Sequence, residues 1–265
     1  MPFHTIDGAR IHVSAHGTGE PLLFIHGLGS SGRDWEPQLP YFGTRYRVLT
    51  CDLRGHGRSS APPGPYSIPQ FARDVTVLLR ERDALPAHVV GLSMGGMVAL
   101  ELAAHNHDCL RSLTVVNSSV DVRLKTWEDV WFYLSRRFAV QVLGMERVGE
   151  IIAQRLFPEH AALRETFRDR WTLNDKRAYL HSVDAIMGWS VADRLADITV
   201  PTLMISSEHD YTPVAAKNRA VARLPNAELA VVDDARHALP AERPDQFNAL
   251  LDDFLMRVRS KAPVG

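Results

Sequence analysis

A serine framed by glycines, Gly91-Leu92-Ser93-Met94-Gly95, is the feature that most narrows what this chain can fold into. It follows the apolar run Ala87-His88-Val89-Val90 and opens a helical pattern from Gly96 to Ala104. A serine on so tight a strand-to-helix turn must adopt strained backbone angles, and side chains two residues to either side would collide. Glycine at 91 and 95 removes those collisions, and Gly96 lets the helix pack close to the strand. The turn leaves a hydroxyl standing proud of the sheet at a helix N-terminus, whose dipole favours developing negative charge. The competing reading, a small-residue packing turn, survives only if the partners of a nucleophile are missing.

A serine nucleophile on such a turn calls for an acid and then a histidine further along the chain. The strand-like run Thr202-Leu203-Met204-Ile205-Ser206-Ser207 leads into Glu208-His209-Asp210, and Ala227-Glu228-Leu229-Ala230-Val231-Val232 leads into Asp233-Asp234-Ala235-Arg236-His237. Both polar groups fall just past strand C-termini, where open parallel sheets build their sites. Asp210 is the expected acid, because it occupies the loop after the strand and precedes a proline-started helix at Pro213; Glu208, Asp233 and Asp234 are the other candidates. His237 is the expected base, set apart from the chain's other histidines by the order Ser…Asp…His. The chemistry needs all three, since a hydroxyl is a poor nucleophile until an imidazole takes its proton and a carboxylate fixes the imidazole tautomer.

An earlier segment supplies a fourth part. The short strand Pro21-Leu22-Leu23-Phe24-Ile25 ends in His26-Gly27-Leu28-Gly29, whose glycines let backbone N–H groups turn towards a ligand. The expected oxyanion donors are the N–H of Met94, directly after the nucleophile, and that of Leu28.

With these motifs in view, the chain resembles the α/β-hydrolase superfamily, within its group of small microbial esterases and lactonases. The turn Asp52-Leu53-Arg54-Gly55-His56-Gly57-Arg58-Ser59 is similar to the D-x-R-G-x-G-x-S turn of that group, where it is chiefly structural, so no catalytic role passes to Arg54 or His56. The segment Pro62–Ile68 and the elbow also resemble 3-oxoadipate enol-lactonases, a likeness that fades after Val120. The resemblance implies no cofactor.

Composition agrees with one catalytic domain. A chain of 265 residues buries a sizeable core. A net charge of -1 argues against nucleic acid or an anionic membrane as an obligate partner. The N-terminal segment lacks the regions of a signal peptide, no apolar run has the length of a membrane span, and Cys51 and Cys109 form no C-x-x-C pair. The expectation is a soluble cytoplasmic protein with neither disulfide framework nor metal site, acting on a small molecule; nothing in the sequence decides between monomer and homodimer.

The expected fold is α/β: a mostly parallel central sheet of about eight strands, helices on both faces, and an all-helical cap. Phe3–Ile6 and Ile11–Ala15 read as an antiparallel hairpin around Asp7-Gly8, and alternating strands and helices follow to Val116. From 120 to 193 the periodicity is helical, too long for an ordinary loop. The division is therefore a core of 1–119 and 194–265 with a cap of 120–193 laid over the nucleophile. Four of the five tryptophans lie in this insertion, and Trp127 and Trp131 share one helix face beside Phe132, Leu134 and Phe138. These two tryptophans are the expected substrate-binding residues, against the plainer reading that they glue cap to core. The expected activity is hydrolysis of a small or medium carboxylic ester or lactone. A carbon–carbon bond hydrolase with the same three residues, and a ligand sensor of the same fold, are the alternatives; a haloalkane dehalogenase is excluded by serine at the nucleophile position.

Overall fold

The computed structural model describes residues 2–261. Its strands are β1 (Phe3–Ile6), β2 (Ala9–His16), β3 (Glu20–Ile25), β4 (Tyr46–Asp52), β5 (Ala87–Leu92), β6 (Leu110–Val116), β7 (Thr202–Ser207) and β8 (Ala227–Val232). The helices are α1 (Leu39–Phe42), α2 (Ile68–Glu81), α3 (Met94–His105), α4 (Trp127–Leu156), α5 (Ala161–Thr172), α6 (Lys176–Ile186), α7 (Val214–Val221), α8 (Leu239–Glu242) and α9 (Pro244–Lys261). The strands form one eight-stranded sheet in the order β1-β2-β4-β3-β5-β6-β7-β8. β2 runs antiparallel to β1 and β4, and every pair from β4 to β8 is parallel. The expected eight-stranded, mostly parallel sheet is what forms.

Successive strand side chains point to opposite faces, so the sheet sorts its apolar residues into two cores. Leu23, Ile25, Val89, Leu113 and Val115 join Phe71, Val75 and Leu79 of α2 and Val98 and Leu102 of α3 on one face. Leu22, Phe24, Val90, Val116, Leu203 and Ile205 join Trp35, Phe42 and, from α9, Phe247, Leu251 and Phe254 on the other. Because β3, β5, β6, β7 and β8 are parallel, their C-terminal ends share one edge. The loops carrying His26, Ser93, Asn117, Asp210 and His237 all leave from it.

Between β6 and β7 the chain inserts α4, α5 and α6, with α4 packed against both others. The ends of the insertion are stitched together: Val122 N–H donates to Trp189 O (2.9 Å), Gly188 N–H to Val122 O (3.1 Å) and Val191 N–H to Val120 O (2.9 Å). Two small apolar clusters seat it on the edge loops. One joins Val140, Met145, Val148, Trp171 and Tyr179 to Leu28, and the other joins Leu156, Phe157 and Phe167 to Ala238, next to His237. Among the described residues no helix is long and apolar enough to cross a membrane.

The Asp52–Ser59 turn is structural in the way its resemblance implies. Asp52 accepts from Gly32 N–H (2.8 Å) and from the backbone N–H of Arg58 (2.9 Å). Arg54 forms a two-pronged ion pair with Asp74 of α2, both contacts at 2.5 Å and both side chains buried. Removing one member of such a pair strands the other charge, whereas removing both does not. Asp74→Ala is therefore expected to lower unfolding stability by roughly 3–5 kcal/mol, and Arg54→Met/Asp74→Leu by clearly less, as read from urea denaturation midpoints.

Candidate active site

Ser93 sits at the sharp turn from β5 into α3, with φ 55° and ψ -117°. The angles are unfavourable for a residue with a Cβ and persist because neighbours hold the turn from several sides. Ser93 N–H donates to Val116 O (2.9 Å), while Ser93 O accepts from Gly96 N–H (2.9 Å) and from the Ser118 hydroxyl (2.7 Å). The flanking glycines are required sterically. A Cβ on Gly91 would stand 2.2 Å from Gly95 O, and one on Gly95 would stand 2.3 Å from Ile25 O. At Gly96 a Cβ would stand 3.1 Å from Gly91 O of β5, the expected close packing of helix on strand, and would also strike the Ser118 side chain at 2.6 Å.

The loop after β3 lies against this turn. A Cβ on Gly27 would reach within 3.4 Å of Ser93 Cβ and 4.0 Å of its Oγ. His26 anchors the loop: Nδ1–H donates to Gly27 O (2.7 Å) and Nε2 accepts Leu53 N–H (3.0 Å). That pattern requires the neutral ring, and burial lowers the His26 pKa in the same sense. Trp171 and Asn174 hold the loop from above. The Asn174 amide donates to Gly29 O (2.8 Å), and the Trp171 ring fills the space where a Gly29 Cβ would be. The N–H of Met94 stands in the first turn of α3, where no intrahelical acceptor exists. Leu28 N–H makes no hydrogen bond among the described residues.

The third and fourth loops supply the acid and the imidazole. His237 Nδ1 lies 2.5 Å from Asp210 Oδ1. The Asp210 side chain is 0 % exposed and that of His237 is 15 % exposed. Burial pushes the Asp210 carboxyl up, but the hydrogen bond and charge of His237, with Lys217 behind it, outweigh this and leave it at about 2. It is therefore a carboxylate at neutral pH and able to orient the ring. Glu208 and Asp234 are occupied elsewhere: Glu208 accepts Asp234 N–H (2.9 Å), and Asp234 pairs with Arg243 at 3.1 Å. Tyr211 stacks on His237, ring centroids 4.4 Å apart and planes at 26°. Arg155 of α4 lies 4.7 Å above the Tyr211 ring. Around these side chains is a cavity of about 320 Å³, lined by Arg155, Leu156, His209, Asp210, Tyr211, Arg236 and His237.

Asn117, at the end of β6, ties the loops together. Its amide donates to His237 O (2.9 Å) and Ser207 Oγ (2.8 Å), and its Oδ1 accepts Ser207 N–H (2.8 Å). Through Val116 and Asn117, the backbone of Ser93 is linked to that of His237. No hydrogen bond joins Ser93 Oγ to the imidazole among the described residues; such bonds are often long before substrate binds. The structure thus brings Ser93, Met94, Leu28, Asp210 and His237 to one edge. It does not bring Trp127 and Trp131 there. They are 87 % and 74 % exposed, on the outer face of α4, neither lining the cavity nor joining insertion to core. The tryptophan of the insertion that does meet the site's loops is Trp171.

The class of protein is now defined. The sequence profile of the alpha/beta hydrolase family matches residues 22–250, and the chain belongs to that family. It is similar to RutD of Azorhizobium caulinodans, provisionally named a carbamate hydrolase, with 31 % identity covering 96 % of this chain and 98 % of the relative. It is also similar to 3-oxoadipate enol-lactonase 2 of Acinetobacter baylyi, 28 % identical over 89 % of this chain and 88 % of that one. Among solved structures, the enol-lactonase of Burkholderia xenovorans superimposes with a TM-score of 0.89 at 27 % identity, covering 96 % of this chain and 100 % of its own.

Asn117 was legible only as the point where strand–helix alternation stops, since its partners lie far along the chain. At φ 45° it occupies the left-handed region that asparagine tolerates better than most residues. Asn117→Ala leaves buried partners unsatisfied, so it should lower stability by about 2 kcal/mol in urea titrations. It should also broaden the downfield Nδ1 proton of His237 in NMR spectra as the loop loosens.

Proposed function

We propose that the chain is a serine hydrolase acting on a small or medium carboxylic ester or lactone through an acyl-enzyme. The observation that carries the reading is the strained Ser93 at the N-terminus of α3, on the same sheet edge as a histidine hydrogen-bonded to a buried carboxylate. Ser93 Oγ attacks the carbonyl carbon as His237 takes its proton. Asp210 holds the ring in the tautomer that presents Nε2 and stabilises the imidazolium. The N–H groups of Leu28 and Met94 receive the developing oxyanion. His237 then protonates the leaving oxygen, and a water activated by the same ring releases the acid. The helical insertion serves as a cap: it grips the Leu28 loop through Trp171 and Asn174, and it walls the cavity beside His237 with Arg155 and Leu156. The hydrolase names of the relatives support the same kind of bond cleavage.

Within this reading, Arg155 favours a substrate bearing a carboxylate. Its guanidinium lines the cavity over Tyr211 and has no ion-pair partner among the described residues, while Arg236, the other arginine there, is 3.9 Å from Glu242. An unpaired cation beside the reacting groups attracts an anionic substrate, and 3-oxoadipate, in the name of one relative, is a diacid.

Ser93→Ala should keep the wild-type circular dichroism spectrum and lose turnover of p-nitrophenyl acetate together with acyl-enzyme formation in mass spectra; near-wild-type turnover would overturn the assignment. Rapid repeated turnover by the wild type also separates an enzyme from a sensor. Arg155→Gln should raise KM for the p-nitrophenyl monoester of succinate roughly fivefold, about 1 kcal/mol, the scale of a partly exposed charge pair. KM for neutral p-nitrophenyl butyrate should stay within about twofold, and an equal rise for both esters would remove the carboxylate preference.

A further inference from the structure

Behind the acid lies a charge that the acyl-transfer steps do not use. Lys217 is on α7, seven residues after Asp210, and its side chain is 1 % exposed. Its ammonium donates to Asp210 Oδ2 at 2.5 Å and to Thr212 O at 2.9 Å, while Thr212 N–H reaches the same carboxylate oxygen at 3.3 Å. The two oxygens of Asp210 are thus divided: Oδ1 faces His237 and Oδ2 faces a buried lysine. A lysine is rarely buried without a partner, because desolvating an ammonium is costly. Here the partner is the carboxylate that orients the base.

Resting on the serine-hydrolase reading, we infer that Lys217 is a positioning residue of the acid–base pair, locking Asp210 in place and limiting how readily His237 takes up a proton. Both effects follow from the contacts. The ammonium closes the Asp210–Thr212 segment onto α7, so the carboxylate cannot turn away from the imidazole. Its positive charge also offsets part of the Asp210 negative charge. An offset carboxylate holds an imidazolium less strongly, and removing the offset strengthens that hold. The direction of the shift at Asp210 agrees, since Lys217 contributes to holding that carboxyl low.

Other charged groups about the pair make no hydrogen bond to Asp210 among the described residues. Arg155 and Arg136, both on α4, act on Tyr211. Arg236 faces Glu242 of α8 at 3.9 Å, and His209 faces Asp234 at 3.9 Å. On its far side Lys217 borders a second cavity of about 340 Å³, also lined by Asp121, Lys125, Arg219 and Arg223. Among the described groups, Lys217 is the cation bonded to the acid itself.

Two neutral variants separate charge from packing. Lys217→Gln keeps an N–H donor for Asp210 and Thr212, whereas Lys217→Met keeps neither charge nor donor. In both, the acid limb of kcat/KM for p-nitrophenyl acetate is expected to move to higher pH by about one unit. The pH at which the His237 imidazole resonances titrate should move with it, a readout that needs no turnover. Folded variants with unmoved limb and unmoved resonances would overturn the inference, because a merely structural lysine would change only the melting temperature. If both variants fail to fold, the role of Lys217 lies in folding rather than tuning, and the inference falls as well. Ser93→Ala, run alongside, separates this failure from that of the hydrolase reading: retained turnover there would sink the nucleophile assignment, not the lysine's role.

Discussion

Everything at the site depends on how closely three backbones approach one another at the turn around Ser93. The C-terminal end of β3, the C-terminal end of β5 and the first turn of α3 come so near that a single added methyl at Gly95 would lie 2.3 Å from Ile25 O. At that distance the backbone itself is the packing surface, and no side-chain rearrangement relieves the clash. The same closeness aims the first N–H groups of α3 at the space above Ser93 and sets the Gly27 loop against the serine. The conformation of Ser93 and the placing of the N–H groups around it are therefore one constraint, maintained by Val116, Gly96 and Ser118 bonding the Ser93 backbone from three directions. The strain in Ser93 is sustained by a sheet that is buried on both faces.

Electrostatics complete what the turn begins. An isolated buried carboxylate would be driven towards its neutral form, and a neutral Asp210 could not stabilise an imidazolium. The fold keeps it charged with one partner on each oxygen, His237 on Oδ1 and Lys217 on Oδ2. His26 shows the opposite treatment two loops away, where burial and a donated Leu53 N–H keep a histidine neutral and structural. Two imidazoles at one sheet edge thus take different roles because one has a carboxylate within hydrogen-bond reach and the other has backbone groups on both nitrogens.

What was legible in the sequence follows from the same physics. The elbow, the order of Ser93, Asp210 and His237 and the loop at His26-Gly27 are local: each is imposed by a tight turn or a strand end, and such constraints leave residue-type signatures within a few positions. The parallel strands were legible because they read as apolar runs bounded by turn residues, and the first two strands as a hairpin around Asp7-Gly8. Asn117 and Lys217 were not legible as parts of the site. Asn117 acts across separations of 90 and 120 residues to Ser207 and His237. Lys217, although near Asp210 in sequence, reads as a surface lysine on a short helix until the burial of α7 is known.

The side of the insertion that meets the protein was not legible in the sequence, and the reason is geometric. A spacing of four places Trp127 and Trp131 on one face of α4 without saying which side meets the protein. The answer comes from Gly144, where the backbone leaves helical angles (φ 77°, ψ 173°) and α4 bends. Beyond the bend, Met145, Val148, Gly149, Ala153 and Leu156 turn inward, and these residues set the register in which the insertion docks. With that second half seated against Trp171, Phe167 and Ala238, the aromatic stripe of the first half is rotated to the outside. The inner surface is left to Arg155, Leu156 and Trp171. The part of the insertion that bears on the site runs from Val140 to Tyr179 and touches both the Leu28 loop and the neighbour of His237. Any displacement of it moves the Leu28 loop and the neighbourhood of His237 together, so the geometry of both is tied to the same apolar contacts.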